Sequence, residues 1–334
     1  MGGTSAGVVG SLGSDMNEQR SLLSNGLSMV TRNKRYIAWF YLLNLALAWL
    51  GVIAFSEQVH NILDRSLASD RLLHGFDLGL FLEMFARPEF GPSSAASRSG
   101  LHFALLFFVA TALFLPGVFQ GYASTYRLPR EDFFRACGRN LWRFIRLMII
   151  AGIIMAIVAG LLFILNGVIG KRATESTNEV LPFELRMLGL FVIFLVMTTL
   201  RIWFDLAEAD IVLSDQRAVR KSIASAFTHT FRSLIRLVAN YVVVTIVAAA
   251  ILLGGLWTWI NFVKPESVIG AFLVGQLTLL LLLIPRFWQR GIAVSYWQQK
   301  MLIPVAAPVV PQPIPVAAPE IPLPPTIPTA TQEP

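Results

Sequence analysis

The sequence predicts an all-α integral membrane protein that crosses the bilayer six times. Of its 334 residues, 55% are hydrophobic and 14% are charged, whereas a soluble domain has roughly 25% charged residues. Six runs are apolar over the length of about 20 residues that a membrane span needs. The loops between these runs are alternately rich and poor in Lys and Arg, which is typical of a polytopic membrane protein.

Five of the six predicted spans are nearly free of charge: 36–55, 101–124, 144–169, 240–263 and 267–285. The sixth, 183–204, carries Glu184 and Arg186 near one end and Arg201 near the other. Its centre is uncharged, and long charged side chains at the ends of a span can reach the lipid headgroups. The sequence therefore predicts one membrane domain over residues 36–300.

The two ends of the chain differ in composition from this domain. Residues 1–35 are polar and rich in Gly and Ser, without the apolar core of a signal peptide, and we expect them to be disordered. Residues 301–334 are rich in proline, which fixes φ and lacks an N–H donor, so we expect an extended, disordered tail. The tail either binds a proline-binding groove of a protein partner or is a flexible low-complexity segment.

Lys and Arg are unevenly shared between the two sides of the predicted membrane domain. The N-terminal segment, the loops 125–146 and 201–236, and the C-terminal flank together hold 19 of them, while the alternate loops hold 8. Because cytoplasmic loops carry the excess of Lys and Arg, both termini are predicted to be cytoplasmic. The outer loop 56–100 has regularly spaced Leu and Phe residues, which predict helices lying at the outer membrane surface.

The two large cytoplasmic loops share a pattern at a distance of 90 residues. Three arginines of the first loop have counterparts in the second: Arg127, Arg130 and Arg146 match Arg217, Arg220 and Arg236. An apolar stripe is repeated in the same way: Phe133, Cys137, Leu141, Phe144 and Ile145 match Ile223, Phe227, Phe231, Leu234 and Ile235. This spacing places each stripe on one helical face. We predict a parallel internal repeat with two amphipathic helices along the inner leaflet.

Ten cations of these two helices are candidate contacts for lipid headgroups: Arg127, Arg130, Arg139, Arg143, Arg146, Arg217, Arg220, Lys221, Arg232 and Arg236. The aromatic residues lie on the apolar face, away from the cations, and this arrangement disfavours nucleic acid as a partner. Two interpretations remain open. The apolar face either sinks into the membrane, with the cations at anionic headgroups, or packs on the spans.

A second candidate site is the acidic cluster that follows the fourth span, namely Asp205, Glu208 and Asp210, with Asp215 nearby. Carboxylates at a membrane face can hold a divalent ion or act as general acid and base. We favour a structural role, because Arg201 precedes Asp205 by the four residues of a helical ion pair. Asp215 is placed to cap the second basic helix, and the cations that follow it would neutralise the remaining acids.

The segment FDLAEADIVLSDQRAVRKSIASAFTHTFRSLIRL, residues 204–237, resembles a stretch found in a broad group of bacterial six-span membrane proteins. That group includes relatives of the membrane domain attached to some glycerophosphodiester phosphodiesterases. In it, a span ends in a short acidic stretch that is followed by a basic helix and another span. The resemblance implies six spans with interfacial helices in a bacterial membrane, but it implies no particular chemistry.

Motifs of catalysis or nucleotide binding are missing from the sequence, so we expect neither enzymatic activity, nor a cofactor, nor a metal site. The span centres carry no ionisable residue, which disfavours ion-coupled transport. Pro116 and Gly117 are candidates for a kink in the second span. We expect a non-catalytic inner-membrane protein that binds lipids or acts as a scaffold. The alternatives are a transporter or channel between the two repeat units and, less favoured, an enzyme that uses the acidic cluster.

Overall fold

A computed structural model describes residues 22–63, 95–124, 126–173, 180–264 and 267–301. Their regular elements are all helices: α1 (22–32), α2 (Lys34–Leu63), α3 (Ala95–Ala123), α4 (Arg130–Ala173), α5 (Leu181–Leu213), α6 (Val219–Arg232), α7 (Leu234–Phe262) and α8 (Val268–Tyr296), with a π-helical turn at Trp297–Met301. Six of these helices, all except α1 and α6, are long and apolar enough to cross a membrane. The predicted class, an all-α polytopic membrane protein with six spans, is confirmed.

The helices extend beyond the predicted spans. α4 has 44 residues and joins the first basic segment to the third span without a break, whereas the second basic segment forms the separate helix α6. α5 continues to Leu213, and α8 passes through Pro285 to Tyr296. A proline removes one backbone hydrogen bond, but neighbouring spans can hold the helix on both sides of it. The helix that carries the last predicted span therefore continues past Pro285 to Tyr296.

Six spans form a ring of three hairpins. α2 packs on α3, α4 on α5, and α7 on α8, and the hairpins meet through the contacts α3–α4, α5–α7 and α8–α2. In addition, α3, α5 and α8 touch one another in every pair, so these three helices occupy the centre of the ring. The structure thus contains three hairpins, each of which we call a unit together with the short helical segment before it, whereas the sequence pattern predicts two repeated units.

Each unit begins with a short helix that packs on the end of a central helix. The indole N–H of Trp203 in α5 donates to the carbonyl of Ile223 in α6 at 2.8 Å, and that of Trp288 in α8 donates to the carbonyl of Leu23 in α1 at 2.9 Å. The first turns of α4 lie against α3 in the same manner, where a Cβ at Gly117 would be 2.5 Å from the Phe133 ring. The chain's first helix therefore closes the ring against its last one.

This closure also corrects the expected disorder of residues 1–35. Residues 22–32 are helical, Leu22 is fully buried, and α2 begins at Lys34. A Cβ at Gly26 would lie 2.9 Å from the backbone nitrogen of Ile292, so α1 approaches α8 at backbone distance. The buried face of this helix is Leu22, Gly26 and Val30, spaced four residues apart. The glycine interrupts the apolar stripe, so the short pattern did not stand out in the sequence.

We call the end of the ring that carries α1, α6 and the first turns of α4 the base. The buried apolar residues are concentrated there, in the last turns of α3, α5 and α8 and the helices that cover them. Away from the base the spans expose large apolar side chains, such as Ile164, Leu253 and Phe272, as expected of helices surrounded by lipid. Residues 1–21, the outer-loop residues 64–94 and the Pro-rich tail from residue 302 lie outside the described residues.

Candidate functional site

The acidic cluster lies inside the base. Asp205, Glu208 and Asp210 belong to α5, and 7%, 8% and 9% of their surfaces are exposed. They were expected beyond the end of a span, but α5 continues for two further turns and carries them into the contacts with α7 and α8. A buried carboxylate destabilises the fold unless hydrogen bonds or opposite charges compensate for its lost hydration. The three acids differ in the partners that they have.

Asp205 has two partners. Its Oδ2 atom is 3.8 Å from Nε of Arg201, the ion pair that the sequence predicts, and 2.9 Å from the hydroxyl of Tyr241 in α7. The same hydroxyl lies 3.1 Å from the carbonyl oxygen of Gln289 in α8. Asp205 therefore connects three helices, two of which the sequence pattern did not link to it.

Asp210 faces a different part of the base. Its Oδ1 atom accepts hydrogen bonds from the indole of Trp297 at 3.1 Å and from the hydroxyl of Ser214 at 3.0 Å. The expectation that the following cations neutralise it was wrong, because Arg217, Arg220 and Lys221 are exposed on the surface. Neutral donors hold this carboxylate instead, and it fixes the π-helical turn to α5.

Glu208 is the least satisfied of the three acids. Its Oε2 atom is buried and has no hydrogen-bond partner among the described residues. The charges nearest to it are those of Asp205 and of the guanidinium groups of Arg290, Arg201 and Arg286. The centre of the base is thus a mixed cluster of two carboxylates and three arginines, contributed by α5 and α8.

Sequence reasoning missed the α8 half of this cluster. Arg286 and Arg290 were counted with the C-terminal flank, because the last span was expected to end at Pro285. One signal was present: the tripeptide Arg201-Ile-Trp203 in α5 recurs as Arg286-Phe-Trp288 in α8. Both tryptophans bond to a short helix of the base, so the recurrence marks equivalent positions in two of the three units.

Asp215 lies outside the helices and does not cap α6 as predicted. The N-cap position of α6 is Ala218, which makes no side-chain cap. Asp215 instead binds Arg143 of α4 at 2.7 Å and lies 3.9 Å from Arg139. The hydrogen bond from Arg143 holds the pKa of this carboxyl below its usual value. Two of the candidate headgroup cations are therefore engaged with the loop before α6.

The two apolar stripes have different surroundings. In α4, Phe133, Cys137 and Phe144 are buried on the spans. In α6 the buried face consists of Val219, Ser222, Ala226 and Thr230 instead. The α6 stripe itself is half exposed: 44% of Phe227 and 50% of Phe231 are accessible. Their rings lie beside each other, and the ring of Phe227 also contacts Trp203. Packing of the apolar stripe on the spans, one of the two interpretations of the sequence, thus applies to α4. The apolar stripe of α6 is exposed instead.

The remaining candidate cations are mostly on the surface of the base. Arg127, Arg130, Arg146 and Arg232 are exposed, and Arg236 is half buried. Arg146 stacks on the ring of Trp142 at 5.1 Å. Pro116 lies inside α3, and the neighbouring Gly117 provides room for Phe133 and Cys137. This pair therefore contributes close packing between α3 and α4.

An aromatic cleft opens between α2, α3 and α4. It has a volume of about 440 Å³ and is lined by Trp39, Phe40, Leu43, Phe114, Phe133 and Phe134, with Arg130 as the one charged residue of its lining. Phe133 packs edge-on against Trp39 in the wall of the cleft, with ring centroids 5.4 Å apart. The volume is in the range of small-molecule and cofactor sites.

Comparison with known proteins identifies no relative. The chain matches no family model, no curated protein and no solved structure. Among the described residues, no group of three or more His, Cys, Asp or Glu side chains could hold a metal ion. The resemblance of residues 204–237 to the bacterial six-span group stays a prediction.

Proposed function

We propose that this protein is a non-catalytic, lipid-interacting component of the bacterial inner membrane, with both termini in the cytoplasm. In this proposal the aromatic cleft holds an acyl chain of an inner-leaflet phospholipid, and Arg130 contacts the phosphate of its headgroup. The observation that carries the proposal is the composition of the cleft, an apolar wall with a single cation. A phospholipid has the matching chemistry, because its apolar chains end in an anionic group.

The position of Arg130 supports this assignment. Arg130 is exposed at the first residue of α4, beside the base, where the chain leaves one span and enters the next. A cation at the boundary between the apolar spans and the polar base lies at the depth of phosphate groups. Basic residues near an anionic membrane surface contribute roughly 1 kcal/mol each.

The exposed face of α6 supports the same function independently. Phe227 and Phe231 extend from the base beside Trp203, while Lys221 and Arg232 are exposed on the same helix. A helix with exposed aromatic residues and separate cations suits the membrane interface. Nucleic acid remains disfavoured as a partner, because the aromatic rings pack on one another instead of standing free to stack on bases.

The experiment is native mass spectrometry of the protein purified from mixed vesicles of phosphatidylglycerol and phosphatidylcholine. We expect wild-type protein to retain phosphatidylglycerol, and Arg130→Gln to bind it about fivefold more weakly, which corresponds to roughly 1 kcal/mol. Leu43→Trp fills the cleft and should reduce binding of both lipids. Arg135→Gln is the matched control, because Arg135 is exposed in the same helix but does not line the cleft. Unchanged binding by both cleft variants would refute the proposal.

A second candidate function, passage of a small or lipidic substrate between the repeated units, is favoured by one observation. The mixed cluster of Glu208, Asp205 and three arginines lies where the central helices α5 and α8 meet. Ionisable groups inside a membrane protein commonly mark a substrate or ion pathway.

The Pro-rich tail keeps its separate proposed role as a ligand for a protein partner, as in a scaffold. An enzymatic role for Asp205, Glu208 and Asp210 has less support, since Asp210 is held by Trp297 on another side of the base.

A further inference from the structure

A narrow groove between α2, α3 and α8 contains four polar side chains: Asn44, Thr111, Arg286 and Arg290. Its other walls are the apolar residues Phe40, Phe107, Leu283 and Phe287. The groove as a whole, down to its floor, has a volume of about 10 Å³, which is close to the minimum that holds one water molecule. A single oxygen atom of a larger ligand is of the same size.

Two hydrogen-bond donors at this floor have no partner. Arg290 is 8% exposed and Thr111 is 5% exposed, and neither Nε of Arg290 nor Oγ1 of Thr111 has a hydrogen bond among the described residues. Unpaired buried donors are costly and uncommon in folded proteins. Both residues line the same groove.

Arg286 stands at the mouth of the groove. Its side chain is exposed, and its guanidinium lies over the ring of Phe107, 6.0 Å from the centroid. It is ten residues before Tyr296, the end of α8, so it lies about 15 Å from that end along the helix axis. An exposed guanidinium at this depth of a spanning helix is costly without a counter-charge. Asp205 and Glu208 are near enough to act on Arg286 electrostatically, but no carboxylate of the described residues lies within ion-pair distance of Arg286 or Arg290.

We propose that this groove binds an oxyanion. Arg286 would hold the charged group at the mouth, and one of its oxygens would accept hydrogen bonds from Arg290 Nε and Thr111 Oγ1 at the floor. Guanidinium groups suit phosphate and carboxylate because they donate in a planar fork. Asn44 also lines the groove, and its buried Oδ1 atom, an acceptor, has no hydrogen-bond partner among the described residues. The ligand is either the headgroup of an anionic lipid or a free phosphate, which share this chemistry.

This site goes beyond the proposed lipid cleft. The cleft is formed with α4 and carries Arg130, whereas the groove is formed with α8 and carries Arg286 and Arg290. Phe40 borders both of them. Because the two sites use different arginines, Arg130→Gln tests the first and Arg286→Gln tests the second, and either can fail while the other holds.

The test uses the full chain in phosphatidylcholine nanodiscs and has two arms. In the first, inorganic phosphate is titrated and binding is measured by calorimetry. In the second, phosphatidylglycerol is mixed into the nanodisc and retained lipid is counted by native mass spectrometry. We expect wild-type protein to bind in at least one arm, and Arg286→Gln to weaken that binding tenfold or more. Binding in the phosphate arm identifies a free oxyanion, and binding in the lipid arm alone identifies a headgroup.

Two further variants keep the test decisive. Thr111→Val removes the floor hydroxyl with little change of shape, and we expect it to weaken binding by severalfold while the protein stays folded. Arg186→Gln is the matched control, because Arg186 is exposed near the other end of a span and does not line the groove. The inference is overturned if wild-type protein binds in neither arm, or if Arg286→Gln and Thr111→Val bind as wild type does.

Discussion

Two carboxylates of one segment, Glu208 and Asp215, have opposite environments. Glu208 is 8% exposed and lies among arginines of two helices, while 51% of the Asp215 side chain is exposed and it is bound by Arg143. Asp215 also has a positive φ of 50°, a conformation that Asp and Asn adopt more readily than most residues. This backbone conformation accompanies the contact of the Asp215 side chain with Arg143 of α4.

The bond between Asp215 and Arg143 should make stability depend on pH. Because Arg143 lowers the pKa of folded Asp215, the stabilisation is complete above the unfolded pKa of about 3.9 and disappears as the pH falls through the folded pKa. Asp215→Asn should lower the free energy of unfolding at pH 7 by less than about 1 kcal/mol, since the pair is exposed. Asparagine keeps the backbone conformation, so the comparison isolates the charge.

Thermal unfolding in detergent, followed from pH 7 to pH 3, measures this effect. The two proteins should differ most near neutral pH and converge in acid. Arg143→Gln should give the same profile as Asp215→Asn, and the double variant should add little to either one. A difference between wild type and Asp215→Asn that persists at pH 3 would assign the effect to something other than this ion pair.

At the scale of single helices, the apolar runs predicted the number and approximate position of the spans. The ends of the helices were not predictable from hydropathy, because α4, α5 and α8 continue through basic, acidic and proline-containing segments. Packing in the base stabilises those segments, and packing partners are not encoded in a local window. For the same reason the Arg201–Asp205 pair was predicted, while the Tyr241–Asp205 contact between two helices was not.

The contact between α3 and α4 depends on one small residue. A Cβ at Gly117 would lie 2.5 Å from the Phe133 ring and 2.7 Å from Cys137 Sγ. Gly117→Val should therefore reduce the free energy of unfolding by about 2 kcal/mol, the cost typical of an overpacked core. Gly138→Val is the matched control in α4, since a Cβ there meets nothing within 4 Å. Equal thermal unfolding temperatures for the two variants would contradict this account of the interface.

At the scale of the whole molecule, the ring of three hairpins and both buried apolar clusters lie within residues 22–301. The repeat of arginines at 90 residues indicated part of this order, since the ends of α3 and α5 are also 90 residues apart. The unit formed by α1, α2 and α3 was missed because its contacts with α8 join the beginning of the chain to its end.

Deleting residues 304–334 tests the proposed role of the tail. We expect the truncated protein to unfold at the same temperature as the full chain, because both buried apolar clusters are formed by residues between 22 and 301. Proteins that co-purify with the full chain should be lost when the tail is absent. A chain of the same length with the prolines of the tail replaced by serine is the control. Retention of the same partners by both variants would refute the role of the tail as a ligand.

The bond from Trp288 to the Leu23 carbonyl joins residues 265 positions apart. Leu23 is therefore synthesised near the start of translation and Trp288 near its end. During most of translation α1 has no α8 to pack on, although the hairpins α2–α3 and α4–α5 can already form in the membrane. The last span, α8, completes the ring. A chain that stops before α8 lacks the contacts of α8 with α1 and α2, so its ring stays open between the first and third units.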